Sequence, residues 1–222
     1  MTRFFVTGTD TAVGKTRISE ALITLFRQQG KQVAAMKPVA SGCELTPQGL
    51  RNDDAVALMQ QANVDLPYDM VNPYAFEPAI APHIASKEAD IEIDLEVIKH
   101  NFKQIQQQAE VVIVEGAGGW LVPLNDQQSM ADLAITLGLP IILVVAIRLG
   151  CMNHALLTVQ AIEQSGLPLY GWIANHMEHN TESAEIVNRL RQSIAAPCLG
   201  NVPILASDQF ATDHLNMSKR HG

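Results

Sequence analysis

Two uninterrupted apolar runs, at 111–114 and 139–147, constrain this chain more than any other feature. A strand with one wet face alternates apolar and polar residues, so runs without a polar face need cover on both sides, the condition of a parallel sheet between helices. Further strands are expected at 3–7, 32–36 and 169–174. Helices alternate with them. Ile18, Leu22 and Leu25/Phe26 recur at helical spacing between Gly14 and Gly30, and Leu95, Ile98, Phe102 and Ile105 share one face over 94–108 with Asp94 as N-cap. Shorter helical patterns occupy 53–62, 153–164 and 182–194. The pattern predicts an α/β domain, one domain over 1–222, with a mainly parallel sheet and helices on both faces. In such sheets ligands sit beyond the carboxyl ends of the strands. Residues 65–83 hold four prolines and no steady period, so they read as one long loop with a functional role.

Charge narrows the partners. With 15 Lys and Arg against 23 Asp and Glu the net charge is −8, which repels nucleic acid and acidic membrane surfaces, so any bound phosphate needs a local site. No run reaches the ~20 apolar residues of a membrane span, and the start of the chain lacks a secretory pattern. Three cysteines, Cys43, Cys151 and Cys198, make no disulfide framework. A soluble protein of the reducing cytoplasm is therefore expected.

That local site is visible after the first strand, in Gly8-Thr9-Asp10-Thr11-Ala12-Val13-Gly14-Lys15-Thr16. A glycine-rich turn into a helix aims backbone N–H groups at phosphate oxygens, the lysine neutralises β/γ charge, and the threonine hydroxyl reaches Mg²⁺. The stretch resembles a P-loop, with five residues between Gly8 and Gly14 where the general pattern has four. The fold expected is thus a single P-loop NTPase domain. Lys37 closes the second strand in Met36-Lys37-Pro38-Val39-Ala40-Ser41-Gly42 and is expected beside the strand leading into the P-loop. The run 111–114 ends in Glu115-Gly116-Ala117-Gly118-Gly119, placing a carboxylate at the sheet edge where such proteins hold Mg²⁺. Asp53 or Asp54 offers a second carboxylate, and spacing does not choose between them.

Together these stretches resemble the dethiobiotin synthetase family, in which the five-residue loop spacing is usual. Further matches are Val71-Asn72-Pro73-Tyr74, Leu149-Gly150-Cys151, Asn153-His154-Ala155 and Gly171-Trp172 with Asn175, in order from residue 3 to about 205. The resemblance implies an ATP-dependent ligase that adds CO₂ to 7,8-diaminononanoate and closes a cyclic urea. Lys15 and Lys37 would be catalytic, and Thr16, Asp54 and Glu115 would hold Mg²⁺. Residues Ala12, Val13, Gly14, Lys15, Thr16 and Arg17, with Gly116, Ala117 and Gly118, would cradle the phosphates of ATP. Asn175, His176 and the Pro203-Ile204-Leu205 segment would hold adenine and ribose. Thr11 and Ser41 would bind the diamine or its carbamate. The resemblance also implies a homodimer, with Gly150, Cys151 and Asn153 of the partner closing the substrate site. The family often has acidic residues where Ala12 and His176 stand, so Ala12 receives no side-chain role.

Other readings are weaker. The glycines at 116–119 do not fit the dinucleotide fingerprint, and His176 with His179 lack a third metal ligand. Cys151 has no Cys–His logic around it, and Lys219-Arg220-His221 reads as a solvated tail. The alternative function is a nucleotide-switched ATPase dimer of the partitioning or metal-insertion type, since fold alone does not decide function. Many of those carry an extra lysine early in the loop, where this chain has Thr9-Asp10-Thr11. An amidotransferase of the cobyrinic-acid type would need a further domain.

Overall fold

The computed structural model describes residues 1–179, 181–206 and 209–217; the tail at 219–221 lies outside them. In chain order the elements are β1 (Thr2–Gly8), α1 (Lys15–Gln28), β2 (Val33–Met36), β3 (Val39–Ser41), β4 (Glu44–Thr46), β5 (Gly49–Arg51), α2 (Asp53–Gln61), α3 (Tyr68–Val71), β6 (Tyr74–Phe76), α4 (Pro82–Glu88), α5 (Leu95–Gln108), β7 (Val111–Gly119), α6 (Met130–Leu137), β8 (Ile141–Ala146), α7 (Cys151–Gln164), β9 (Leu169–Asn175), α8 (Ser183–Ser193) and β10 (Cys198–Val202), followed by a short 3₁₀ turn (Ala211–His214). Six strands form a parallel sheet in the order β10-β9-β8-β1-β7-β2.

Period-two alternation divides each strand between two cores. Phe4, Val6, Val111 and Ile113 face Ile18, Leu22 and Phe26 of α1. Their neighbours Phe5, Val112 and Val114 face Ile98, Phe102 and Ile105 of α5 together with α6. Leu143, Val145 and Trp172 turn to the α7–α8 side. Helices therefore cover both faces, which is why the apolar runs show no polar alternation. No helix among the described residues is long and apolar enough to cross a membrane.

The chain departs from the sequence-based reading in four places. Residues 65–83 are not one loop: they hold α3, β6 and the start of α4, and β6 pairs in parallel with β3 to make a small second sheet. Pairing with a distant strand, rather than any local period, orders that segment. Strand β7 does not stop at Val114 but runs through its glycines to Gly119, pairing Glu115 with Val6 and, after a break in register, Gly119 with Gly8. Nor is β2 adjacent to β1. Strand β7 lies between them, so Lys37 closes a strand beside the one that carries Glu115. Helix α6 was absent from the sequence reading, although its capping box, Ser129 with Asp132, is a sequence-visible start signal.

The sheet reverses direction of growth at β1, with β7 and β2 on one side and β8, β9 and β10 on the other. The crevice above such a reversal is the usual ligand site of open α/β sheets.

Candidate active site

Directly above β1, the turn 8–14 delivers the chain into α1. Gly14 sits at φ 84°, and a Cβ there would lie 2.2 Å from Asn175 Nδ2, so only glycine fits both the backbone and the neighbour. Asn175, fully buried at the end of β9, donates to the carbonyl of Val13 at 2.9 Å and thereby pins the turn to the sheet. Its Oδ1 is buried without a partner, an acceptor ready for a donor from a ligand. The first-turn N–H groups of α1 have no upstream carbonyls to bond and carry the positive end of the helix dipole. Ala12 adopts φ 55°, a left-handed conformation rare outside glycine, which curls the turn inward.

Lys15, only 7% exposed, folds back along the turn and donates to the Asp10 carbonyl at 3.2 Å. Burial, reinforced by the nearby positive charge of Lys37, pushes its pKa down to about 8. Lys37 is 4% exposed and donates to Glu115 Oε1 at 2.5 Å and to Asp54 Oδ2 at 3.2 Å. Burial alone would lower its pKa, but the two carboxylates outweigh it and hold it above the usual lysine value. Asp54 is held below the ordinary carboxylate range, because Lys37 and the Thr16 hydroxyl overcome the desolvation that opposes its charge. Thr16 Oγ1 also donates to Glu115 Oε1 at 3.0 Å. Asp54 is therefore the carboxylate that faces the site, while Asp53 points to solvent.

These groups line one cleft of about 720 Å³. Of the residues named from sequence, Thr11, Ala12, Gly14, Lys15, Thr16, Lys37, Ser41, Asp54, Glu115, Ala117 and Gly118 all line it. Ser41 Oγ is buried with no partner, a free hydroxyl beside the two lysines. Val13 turns into the core, and Gly116 is buried backbone with no side chain to offer the cleft. Arg17 donates to the Pro203 carbonyl at 3.0 Å, tying α1 to the Pro203-Ile204-Leu205 segment. His176 pairs with Asn201 across 2.7 Å. Gly150, Cys151 and Asn153 do not line this cleft. They begin α7, where Cys151 is buried, Asn153 is exposed and Leu149 just before them is 95% exposed.

Sequence reasoning missed Ala79, Ile80, Ala81 and Pro82, which form one wall of the cleft, together with Val122, Met177 and Asn52. The wall carries no charge or spacing signal; only the β3–β6 pairing brings it there. Asn52 did carry one, since it precedes Asp53-Asp54 as a helix cap and accepts from Ala55 N at 3.1 Å.

Glu115 Oε2 is buried and has no hydrogen-bond partner. An unpaired carboxylate oxygen, a threonine hydroxyl and Asp54 on one side of a phosphate-binding turn are hard oxygen donors suited to Mg²⁺. Among the described residues no cluster of three or more His, Cys, Asp or Glu could hold a metal alone. Mg²⁺ commonly takes one or two carboxylates and completes its shell with phosphates and water, so the donor set fits that ion bound with a nucleotide.

A parallel sheet that grows both ways from a central strand, with a phosphate loop at its switch point, defines a P-loop nucleotide-binding protein. Solved structures share this fold: the MinC:MinD cell division complex of Aquifex aeolicus aligns with TM-score 0.60 and 16% identity over 91% of this chain and 81% of that one. A ParA family ATPase from Chlorobium tepidum aligns with TM-score 0.58 and 14% identity over 94% and 87%. The AAA domain family matches residues 2–209. Sequence relatives are more specific. The ATP-dependent dethiobiotin synthetase of Pseudomonas paraeruginosa is 50% identical over 93% of this chain and 91% of its own length, and that of Marinobacter nauticus is 47% identical over 94% and 90%. This chain belongs to the ATP-dependent dethiobiotin synthetase family.

Proposed function

We propose that the cleft converts 7,8-diaminononanoate, CO₂ and ATP into dethiobiotin, ADP and phosphate. The observation that carries this reading is the pair of buried lysines converging on one cleft, one within the phosphate loop and one outside it. A nucleotide switch needs the first; a reaction that also develops negative charge on a carbamate needs the second.

One amine of the diamine attacks CO₂ and loses a proton to give a carbamate. The carbamate oxygen takes the γ-phosphoryl group of ATP, releasing ADP, and the second amine then attacks the mixed anhydride, expelling phosphate and closing the urea ring. The loop amides and Lys15 bind the phosphates. Lys37 keeps its proton between Glu115 and Asp54 and presents a fixed positive charge to the carbamate and the transferring phosphoryl group. Fixed charges in a water-poor cleft need no reorganisation as the reaction proceeds. Ser41 and Thr11 contribute hydroxyls to orient the carbamate and diamine. Thr16, Asp54 and Glu115 would hold Mg²⁺. When bound, the ion neutralises charge on the β- and γ-phosphates. Asn175 Oδ1 and the 203–205 segment would receive the base and ribose.

A homodimer would complete the site, with the turn at Gly150, Cys151 and Asn153 reaching across it through its backbone and the exposed Asn153, while the Cys151 side chain stays in its own core. Support comes from the exposed apolar side chains Leu149, Met152, Leu156 and Leu157 at and beyond the start of α7. A patch of this kind on a soluble surface commonly marks an interface. Sedimentation of the purified protein checks this, and a monomer at micromolar concentration would exclude it.

The deciding experiment incubates the protein with diaminononanoate, bicarbonate, ATP and Mg²⁺ and follows dethiobiotin and ADP together by mass spectrometry. Equal amounts of both, with neither formed when the diamine is omitted, are expected. ADP without the urea would transfer the protein to the nucleotide-switch class.

A further inference from the structure

Lys37 is held at two points, and the second is remote from the chemistry. Its side chain meets Asp54 and Glu115, while its backbone is gripped by α3: Lys37 N donates to Val71 O at 3.0 Å, and Asn72 Nδ2 donates to Lys37 O at 2.6 Å. Asn72 is 2% exposed, and its Oδ1 accepts from the Tyr68 hydroxyl at 2.9 Å. The same hydroxyl accepts from Asn52 N at 2.7 Å. Asn52 is the N-cap of α2, the helix that carries Asp54 two residues later, and its Nδ2 donates to Ser41 O at 3.4 Å. The contacts close a ring that runs from Lys37 O through Asn72, Tyr68, Asn52 and Asp54 back to Lys37 Nζ.

We infer that Tyr68 and Asn72 are positioning residues for the ligase reaction, fixing the distance between the end of β2 and the start of α2 so that Lys37, Asp54 and Ser41 meet in one place. This rests on the function proposed above. Helix α2 packs on β2 and is tied to it beyond its far end, where Asn63 bonds Val33 both ways; at the cleft end, where Lys37 and Asp54 lie, the hydrogen-bonded link runs through Tyr68 and Asn72. The Tyr68 hydroxyl touches both sides of the bridge, donating to Asn72 Oδ1 and accepting from Asn52 N. Its ring is anchored separately, under the Arg51 guanidinium at 4.1 Å from the ring centre, so the hydroxyl can be removed without releasing the ring. A misplacement of about 1 Å from a change remote from the chemistry can cost ~10²-fold in rate.

Tyr68→Phe keeps the ring and removes only the link. Dethiobiotin formation should fall about 10-fold in kcat, with KM for ATP and for the diamine changed less than about two-fold, while the thermal midpoint falls modestly because Asn52 N and Asn72 Oδ1 each lose a partner. Because the contacts act in series, Tyr68→Phe added to Asn72→Ala should lower kcat little further. A wild-type kcat in Tyr68→Phe would overturn the inference. So would independent, multiplying losses of kcat in the double variant, the signature of packing alone. Should Asn72→Ala fail to fold, Tyr68→Phe decides the matter alone through its kcat-against-KM split. Wild-type protein assayed in parallel separates the two levels: if it makes no dethiobiotin, the proposed function has failed, whereas an active wild type with an equally active Tyr68→Phe condemns the positioning role only.

Discussion

The phosphate loop and the end of β2 each bury one lysine in the same cleft, and the two are held in opposite ways. Lys15 has a carbonyl oxygen for a partner, and burial pushes it down to about 8. Lys37 has two carboxylates, and they hold it above the usual lysine value despite deeper burial. The difference shows that burial sets the cost of a charge while the partner decides who meets it. Lys15 has no ion pair among the described residues, so its energetic cost is offset only if an anion enters the cleft. Lys37 is paid in advance, and it faces the cleft charged before any substrate arrives.

The largest expected effect is on turnover at Lys37. Lys37→Ala should lower kcat by roughly 10³-fold, the scale of losing a main charge-stabilising group, while KM for ATP moves only a few-fold. Steady-state kinetics with the diamine saturating would read this, and a loss confined to KM would break the division of labour. Lys15→Ala should instead damage both parameters, with roughly 10²-fold lower turnover and weaker ATP use together. Unchanged ATP kinetics would remove Lys15 from phosphate binding.

Stability of the ligand-free protein should separate the lysines by sign. Lys37→Met leaves Glu115 fully buried without its main partner, a change that costs ~3–5 kcal/mol and lowers the thermal midpoint by about 10 °C. Lys15→Met removes a charge that burial penalises, and calorimetry should show a midpoint raised by about 5 °C at neutral pH. Midpoints moving in the same direction would mean that the two sites are not held differently.

The smallest effect is in pH dependence. With a folded pKa of about 8 against an ordinary 10.5, Lys15 loses its proton in the folded state first. Between those values the unfolded chain binds more protons, so stability rises with pH there relative to Lys15→Met. The advantage of the Met variant should therefore shrink from pH 8 upward and be largely gone by pH 10.5, by at most ~3 kcal/mol in total. Denaturant midpoints of both proteins across this range, without nucleotide, measure it; a constant gap would show that Lys15 titrates normally.

How much of this was legible depended on the range of the interaction. Helix α5 was readable because Leu95, Ile98, Phe102 and Ile105 lie on one face and Asp94 caps it, accepting from Glu96 N at 2.8 Å, all within one segment. Helix α6 was equally local, yet went unread. The phosphate loop was readable because its glycines and Lys15 must be contiguous to wrap a phosphate. The segment 65–83 was not, because β6 is ordered by pairing with β3, more than thirty residues away, and shows no period of its own. Its wall of the cleft, Ala79 to Pro82, is apolar and carries no chemical signature.

Residue order by itself determined the α/β class, the position of the phosphate loop and the identities of the two lysines and Glu115, since each rests on local periodicity or on contiguous residues. Only the tertiary structure decided that β7 separates β1 from β2, that Asp54 and not Asp53 meets Lys37, and that Tyr68 bridges two halves of the site. It also decided the opposite shifts of Lys15 and Lys37. The physical reason is that backbone periodicity is a property of neighbours in the chain, whereas desolvation and Coulomb pairing depend on which atoms meet after distant segments have packed.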